Sequence, residues 1–187
     1  AAKMTDYDLP KSVLIDGNEY PIRWDFRPAL DILSLLNDPM LTDRDRGRGC
    51  LSIFYPTFDV LPPENYQDAV TQCLWFLRGG QNEIRQDRKP LHLVDWKKDF
   101  PYIAAPINRV LGRDCRAGSL HWWSFLAAYY EIGDCTFAQI VRIRSLKAKG
   151  KTLDKFDRDW YRQNRDLVDL PRAYTQAESD LLKEWGG

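Results

Sequence analysis

Few residues in this chain are equipped for chemistry. His121 stands beside Trp122 and Trp123, and a ring triplet of this kind can stack on a base or a sugar. Stacking platforms usually line a basic groove, whereas this triplet is flanked by core-type residues. Rings filling a core, with His121 hydrogen-bonded at its edge, is the better reading. Paired carboxylates at Asp43/Asp45 and Asp157/Asp159 suit acid–base work only where burial raises a pKa. Both pairs alternate with Arg and Lys, the pattern of a solvated helix face. Arg142 to Lys151 is the most basic run, but Asp154, Asp157 and Asp159 follow at once and cancel much of its field, so nucleic-acid binding is disfavoured.

Other constellations close quickly. Gly47-Arg48-Gly49 lacks the Gly-Lys-Ser/Thr ending of a phosphate loop and follows no strand. Cys50, Cys73, Cys115 and Cys135 are widely spaced without a C-x-x-C, which argues against a disulfide framework or a zinc site. His92 and His121 are the only histidines, and neither lies in a recognisable nucleophile context. The expectation is a protein without catalytic residues, metal or cofactor.

The elements that must position these residues are mostly helical. Residues 12–24 form two β-prone runs around Asp16-Gly17-Asn18, the strongest short hairpin signal. Pro21 removes a donor, so an exposed edge ribbon is expected. Asp25 caps a helix through Ala29, Leu30, Leu33 and Leu36. Thr42 opens a weaker helix, burdened by Gly47 and Gly49, that ends before Pro56. Pro62-Pro63-Glu64 starts an amphipathic helix with Tyr66, Ala69, Val70, Cys73, Leu74 and Leu77 on one stripe, closed by Gly79-Gly80. Trp75 falls opposite that stripe and is expected to face outward.

After a polar stretch at 81–89, Asp95 or Asp99 starts a helix ending at Gly112, with Pro106 inside it and a stripe that includes Ile103, Ile107 and Val110. Leu120 to Ile132 is apolar nearly all round, which implies burial on several sides. Asp134 or Thr136 caps the next helix, whose stripe of Phe137, Ile140, Val141 and Ala148 has Arg144 in its middle. A charge there needs a partner, and the expectation is a buried carboxylate. A helix through Leu153, Phe156, Trp160 and Leu167 follows, and Thr175-x-x-Glu178 is a capping box before Leu181, Leu182 and Trp185.

The fold class expected is mainly α, a bundle of about six or seven helices with a small N-terminal hairpin. One domain over 4–187 is the default, with possible helical halves 25–80 and 90–187. Residues 1–3 read as additions ahead of a native start at Met4. Lys+Arg and Asp+Glu are 27 each, so the formal net charge is zero. That balance argues against a polybasic nucleic-acid binder. No apolar run is long enough to cross a bilayer. Aromatic residues make up 13% of the chain, with seven Trp, and such rings are enriched at binding hot spots. The candidate partner-binding residues are therefore Trp75, Trp122, Trp123, Leu181, Leu182 and Trp185, with Arg144 and His121 in structural roles.

The run Leu120-His-Trp-Trp-Ser-Phe-Leu126, with the Ile140-Val-Arg-Ile-Arg144 helix after it, resembles the gene-product-fifteen family of siphophages and of prophages in Gram-positive bacteria. The resemblance runs from the hairpin at Val13 to the charged helix at 153–168. It implies a protein encoded in the tail module beside the tape-measure gene. By that position it resembles a tail assembly chaperone acting in the host cytoplasm, with the tape-measure protein or other tail proteins as partners and a possible homo-oligomer. A structural virion component, such as a connector or tail-completion subunit, is the first alternative, and a nucleic-acid-binding regulator is the remoter one.

Overall fold

In the computed structural model, which describes residues 8–81 and 91–170, Asp16 and Gly17 both take positive φ, 48° and 75°. Positive φ at both central positions matches the twist of a hairpin. Strand β1 (Ser12–Ile15) accordingly pairs antiparallel with β2 (Asn18–Pro21), Ser12 opposite Pro21 and Ile15 opposite Asn18. The ribbon is an edge ribbon as expected, exposed on one face and packed on the other. Val13 and Ile15 are buried while Leu14 is 62% exposed, because period-2 alternation puts an apolar pair on the core side. Main-chain bonds from Ile22 to Lys11 (3.0 Å) and from Arg23 to Phe54 (2.8 Å) tie its base down.

Eight α-helices follow among the described residues. Helix α1 (Phe26–Leu36) is capped by Asp25, whose carboxylate accepts from the Arg27 N–H. Helix α2 (Asp43–Phe54) is capped by Thr42 and forms despite its two glycines. Gly49 permits a close approach to α1, since a Cβ there would lie 2.5 Å from Leu35 Cδ1. The Pro62-Pro63 pair opens a 3₁₀ turn (Pro63–Asn65) that leads into α3 (Tyr66–Leu77). Helix α4 (Trp96–Leu111) is capped by Asp95, contains both Pro101 and Pro106, and stops at Gly112 in the left-handed region (φ 66°). Val110, expected on its inner stripe, is 40% exposed.

Helix α5 (Trp122–Tyr130) is buried on one side only: Phe125 and Ala128 are inside, Ala127 and Tyr130 outside. Its near-uniform apolarity overstates its burial. Helix α6 (Thr136–Ala148) takes its cap from neither Asp134 nor Thr136; the Cys135 thiol accepts from the Ala138 N–H at 3.4 Å. The helix expected over 153–168 is broken into α7 (Lys155–Gln163) and α8 (Arg165–Val168), where the Asn164 side-chain amide donates to the Trp160 carbonyl at 2.9 Å. On α7 two residues depart from the expected sides, while Trp160 is half-buried and Lys155, Arg158 and Arg162 are exposed as their positions predict. Phe156 is 71% exposed, while Asp157, expected on a solvated face, is buried against Gln139 and Arg142. A short helix pinned by its own cap and one buried ion pair need not turn every ring of its stripe inward.

One apolar cluster runs from Val13 through α1–α5 to Phe137. Its centre is aromatic: Phe26 stacks on Phe125 at 4.8 Å, and Phe54 meets Phe76 at 5.2 Å. Offset ring pairs of this kind add about 0.5–1.5 kcal/mol beyond their burial. Among the described residues no helix is long and apolar enough to cross a membrane. The 81–89 stretch beyond Gln81 and the capping-box helix with Leu181, Leu182 and Trp185 lie outside the described residues.

Candidate functional site

The His-Trp-Trp triplet is a joint between helices. A helix leaves its last carbonyls without intrahelical donors. At the end of α3 those of Phe76 and Leu77 accept from the indole N–H groups of Trp123 (2.9 Å) and Trp122 (3.0 Å). Trp122 is 1% exposed and among the most deeply buried side chains. Trp123 is half-buried, with its ring 5.4 Å from that of half-buried Trp75 in an edge-on contact. The outward position expected for Trp75 is thus only partly realised. Gly80 (φ 82°) is required beneath this pair, because a Cβ there would come within 2.7 Å of the Trp123 ring.

His121 is the N-cap of α5. Its Nδ1 accepts from the Trp123 N–H at 3.0 Å, so Nε2 carries the proton and donates to the Pro10 carbonyl at 2.9 Å. The ring stacks on Trp24 at 5.8 Å. Asp25 completes the joint: one oxygen caps α1 and the other accepts from the Leu120 N–H at 3.0 Å. Burial, chiefly, lowers the His121 pKa from its ordinary 6.5. The folded state resists a proton that the unfolded chain accepts, so this contribution is complete above the ordinary pKa and declines as pH falls below it. The urea midpoint should therefore drop between about pH 7 and pH 5, and His121→Asn, which keeps a capping oxygen, should flatten that drop. An equal drop in the variant would remove His121 as its cause.

Arg144 is buried as its place in the stripe requires, and its partner is Asp99. The guanidinium forks onto the carboxylate at 2.6 and 2.9 Å. Its other donors go to the carbonyls of Val168 (2.6 Å), Leu167 (2.8 Å) and Leu93 (2.9 Å). All five N–H groups are used. The clasp joins α6 to the start of α4, to the segment before it and to the chain's path after α7. In the sequence, Asp99 stands out only as a possible helix start.

An open concavity lies elsewhere, along α1 and the start of α4. Three adjoining hollows share Trp96. The widest, about 620 Å³, is floored by Phe26, Leu30, Trp96 and Phe100, with Arg27 and Lys97 beside them. The middle one, about 470 Å³, passes Ser34, Leu35, Ile53 and Val94. The last reaches Asn37, Leu93 and Val141. Together they form a groove along the length of α1, with the half-buried rings of Trp96 and Phe100 in its floor and charges at its rim. No sequence signal singled out Trp96, because as a core residue and as a groove residue it occupies the same stripe of α4.

A family model described as "Bacteriophage Gp15 protein" matches residues 5–170, which is 166 of the 187 residues. The chain belongs to the bacteriophage Gp15 family. No curated protein and no solved structure matches it. The match spans the hairpin, the joint, the Arg144 clasp and the groove.

In this Gp15 protein the basic run 142–151 is largely occupied internally. Of its five cations, Arg142 pairs with Asp157, Arg144 with Asp99, and Lys147 with Asp169 at 2.7 Å. Burial raises the Asp169 pKa, but hydrogen bonds from Lys147, Tyr161 and Arg165 outweigh it and bring the value down to about 2. Among the described residues no group of three or more His, Cys, Asp or Glu is placed to hold a metal ion. Burial pushes the Cys50 thiol up to about 11 and raises that of Cys73 as well, so both thiols stay protonated near neutral pH.

Proposed function

We propose that this phage protein is a non-enzymatic assembly factor that binds the tape-measure protein in the host cytoplasm and keeps it soluble until the tail tube polymerises. The observation that carries this reading is the open, ring-floored groove along α1. A tape measure is a long helical chain with an apolar stripe, and an amphipathic helix is recognised by laying that stripe into a hydrophobic groove. The groove's length, from Phe26 to Asn37 on α1, is about 16 Å at 1.5 Å per residue, or three turns of a client helix. Family membership supports a role in phage structure or assembly. The exposed remainders of Trp75 and Trp123 are a second contact patch in this reading.

Co-expression with a tape-measure fragment is the test. The full chain should raise the fragment's soluble fraction and co-purify with it. Trp96→Ala should weaken the complex by about thirtyfold, the loss of a 2 kcal/mol hot spot. A gain in neither solubility nor co-purification would overturn the chaperone reading. Recovery of the protein in purified virions by mass spectrometry would favour a structural component instead.

A further inference from the structure

The groove has one end beside the place where the chain leaves the described fold. Leu93 lines that end, and its carbonyl is held by the same Arg144 guanidinium that holds the carbonyls of Leu167 and Val168. The next carbonyl, of Asp169, accepts from Lys98 on the first turn of α4. Residue 170 therefore stands within a few residues of the groove, and 17 residues follow it, 171–187.

Those residues have the composition that the groove lacks. Thr175 to Gly187 carries Leu181, Leu182 and Trp185 in a one-sided pattern behind a capping box. As a helix its 13 residues would extend about 20 Å, comparable with the roughly 16 Å of α1 that borders the groove. Residues 171–174 can span at most about 14 Å, enough to step from Leu93 to Trp96. The other nearby segment, 82–90, is polar apart from Ile84, which makes it a poor cover for an apolar floor. The family match also ends at residue 170.

We propose that residues 175–187 of this chain occupy the groove around Trp96 in cis, with Leu181, Leu182 and Trp185 against its floor. Resting on the client reading above, the segment is then a built-in competitor that a tape-measure helix displaces. Tethering makes this an intramolecular contact, so even a weak one is populated at a high effective concentration.

Full-length protein carrying a photo-activated benzophenone side chain at position 185 tests the docking. Crosslinks should map to the Phe26–Asp31 and Trp96–Phe100 regions in a product of monomer mass. Crosslinks to other faces, or a product of dimer mass, would overturn docking in cis. Independently, Trp185→Ala should speed tryptic cleavage at Arg172 and Lys183 about tenfold, as a released segment opens more often. Equal cleavage of variant and parent overturns the proposal. A co-purifying tape-measure fragment should abolish the crosslink. If it leaves the crosslink intact, the competition fails while the docking stands; if no fragment co-purifies, the client reading fails by itself.

Discussion

Asp99→Ala is expected to lower the unfolding free energy by about 3–5 kcal/mol, the cost of leaving a buried guanidinium without its counter-charge. Arg144 and Asp99 are both nearly inaccessible, with side chains 4% and 1% exposed. Deletion of the carboxylate leaves a cation fully desolvated, still held by three carbonyls but no longer neutralised. Asp99 also accepts from the Asp95 N–H at 2.9 Å, so the start of α4 loosens with it. The double variant Asp99→Leu with Arg144→Met separates these costs. Replacing both charges by apolar groups of similar volume is often neutral or stabilising, so the double variant should be markedly more stable than Asp99→Ala alone. Urea denaturation of parent, single and double variants measures this. A single-variant loss under about 1 kcal/mol would mean that water reaches Arg144.

The second large effect is at the helix joint. Trp122→Ala should cost about 3–5 kcal/mol, because a buried indole leaves a cavity that its neighbours fill only in part. Trp122 stacks on Phe125 at 5.6 Å and bonds the Leu77 carbonyl, so the variant loses packing and a C-terminal cap of α3 together. Trp122→Phe restores much of the volume but supplies no donor, and should cost about 1–3 kcal/mol, the range for a buried acceptor left unpaired. The ordering parent, Phe, Ala in denaturation midpoint is the diagnostic outcome. Equal stability of the Phe and Ala variants would assign the whole effect to the hydrogen bond. Trp75→Ala, at a half-buried position, should cost less than either and act mainly on partner binding.

These expectations show where local pattern was sufficient. Asp16-Gly17, Asp25, Thr42, Asp95 and Gly112 act where their spacing predicts, because caps and turns are satisfied by atoms two or three residues away. Arg144 was legible as a buried charge because a helix's 3.6-residue period alone puts it among Phe137 and Ile140. The errors arise where a partner from another element intervenes. Cys135 displaces Asp134 and Thr136 as a cap. Asp157 turns inward because Arg142 and Gln139 meet it there. Trp75 is drawn half under cover by Trp123, which lies 48 residues further along the chain.

By itself, then, the sequence determined the helical class, the hairpin, most helix boundaries, the structural roles of His121 and Arg144, and, through the His-Trp-Trp run, the family. All but the family, which rests on resemblance, are consequences of short-range periodicity and of hydrogen bonds that close within one turn. Only the tertiary structure decided that Asp99 is the partner of Arg144, that Trp122 and Trp123 close the end of α3, and that Trp96 floors a groove. Each of these depends on side chains brought together across 45 to 70 residues by packing. Burial, which separates a core ring from a binding ring, belongs to the whole fold and to no local stretch of it.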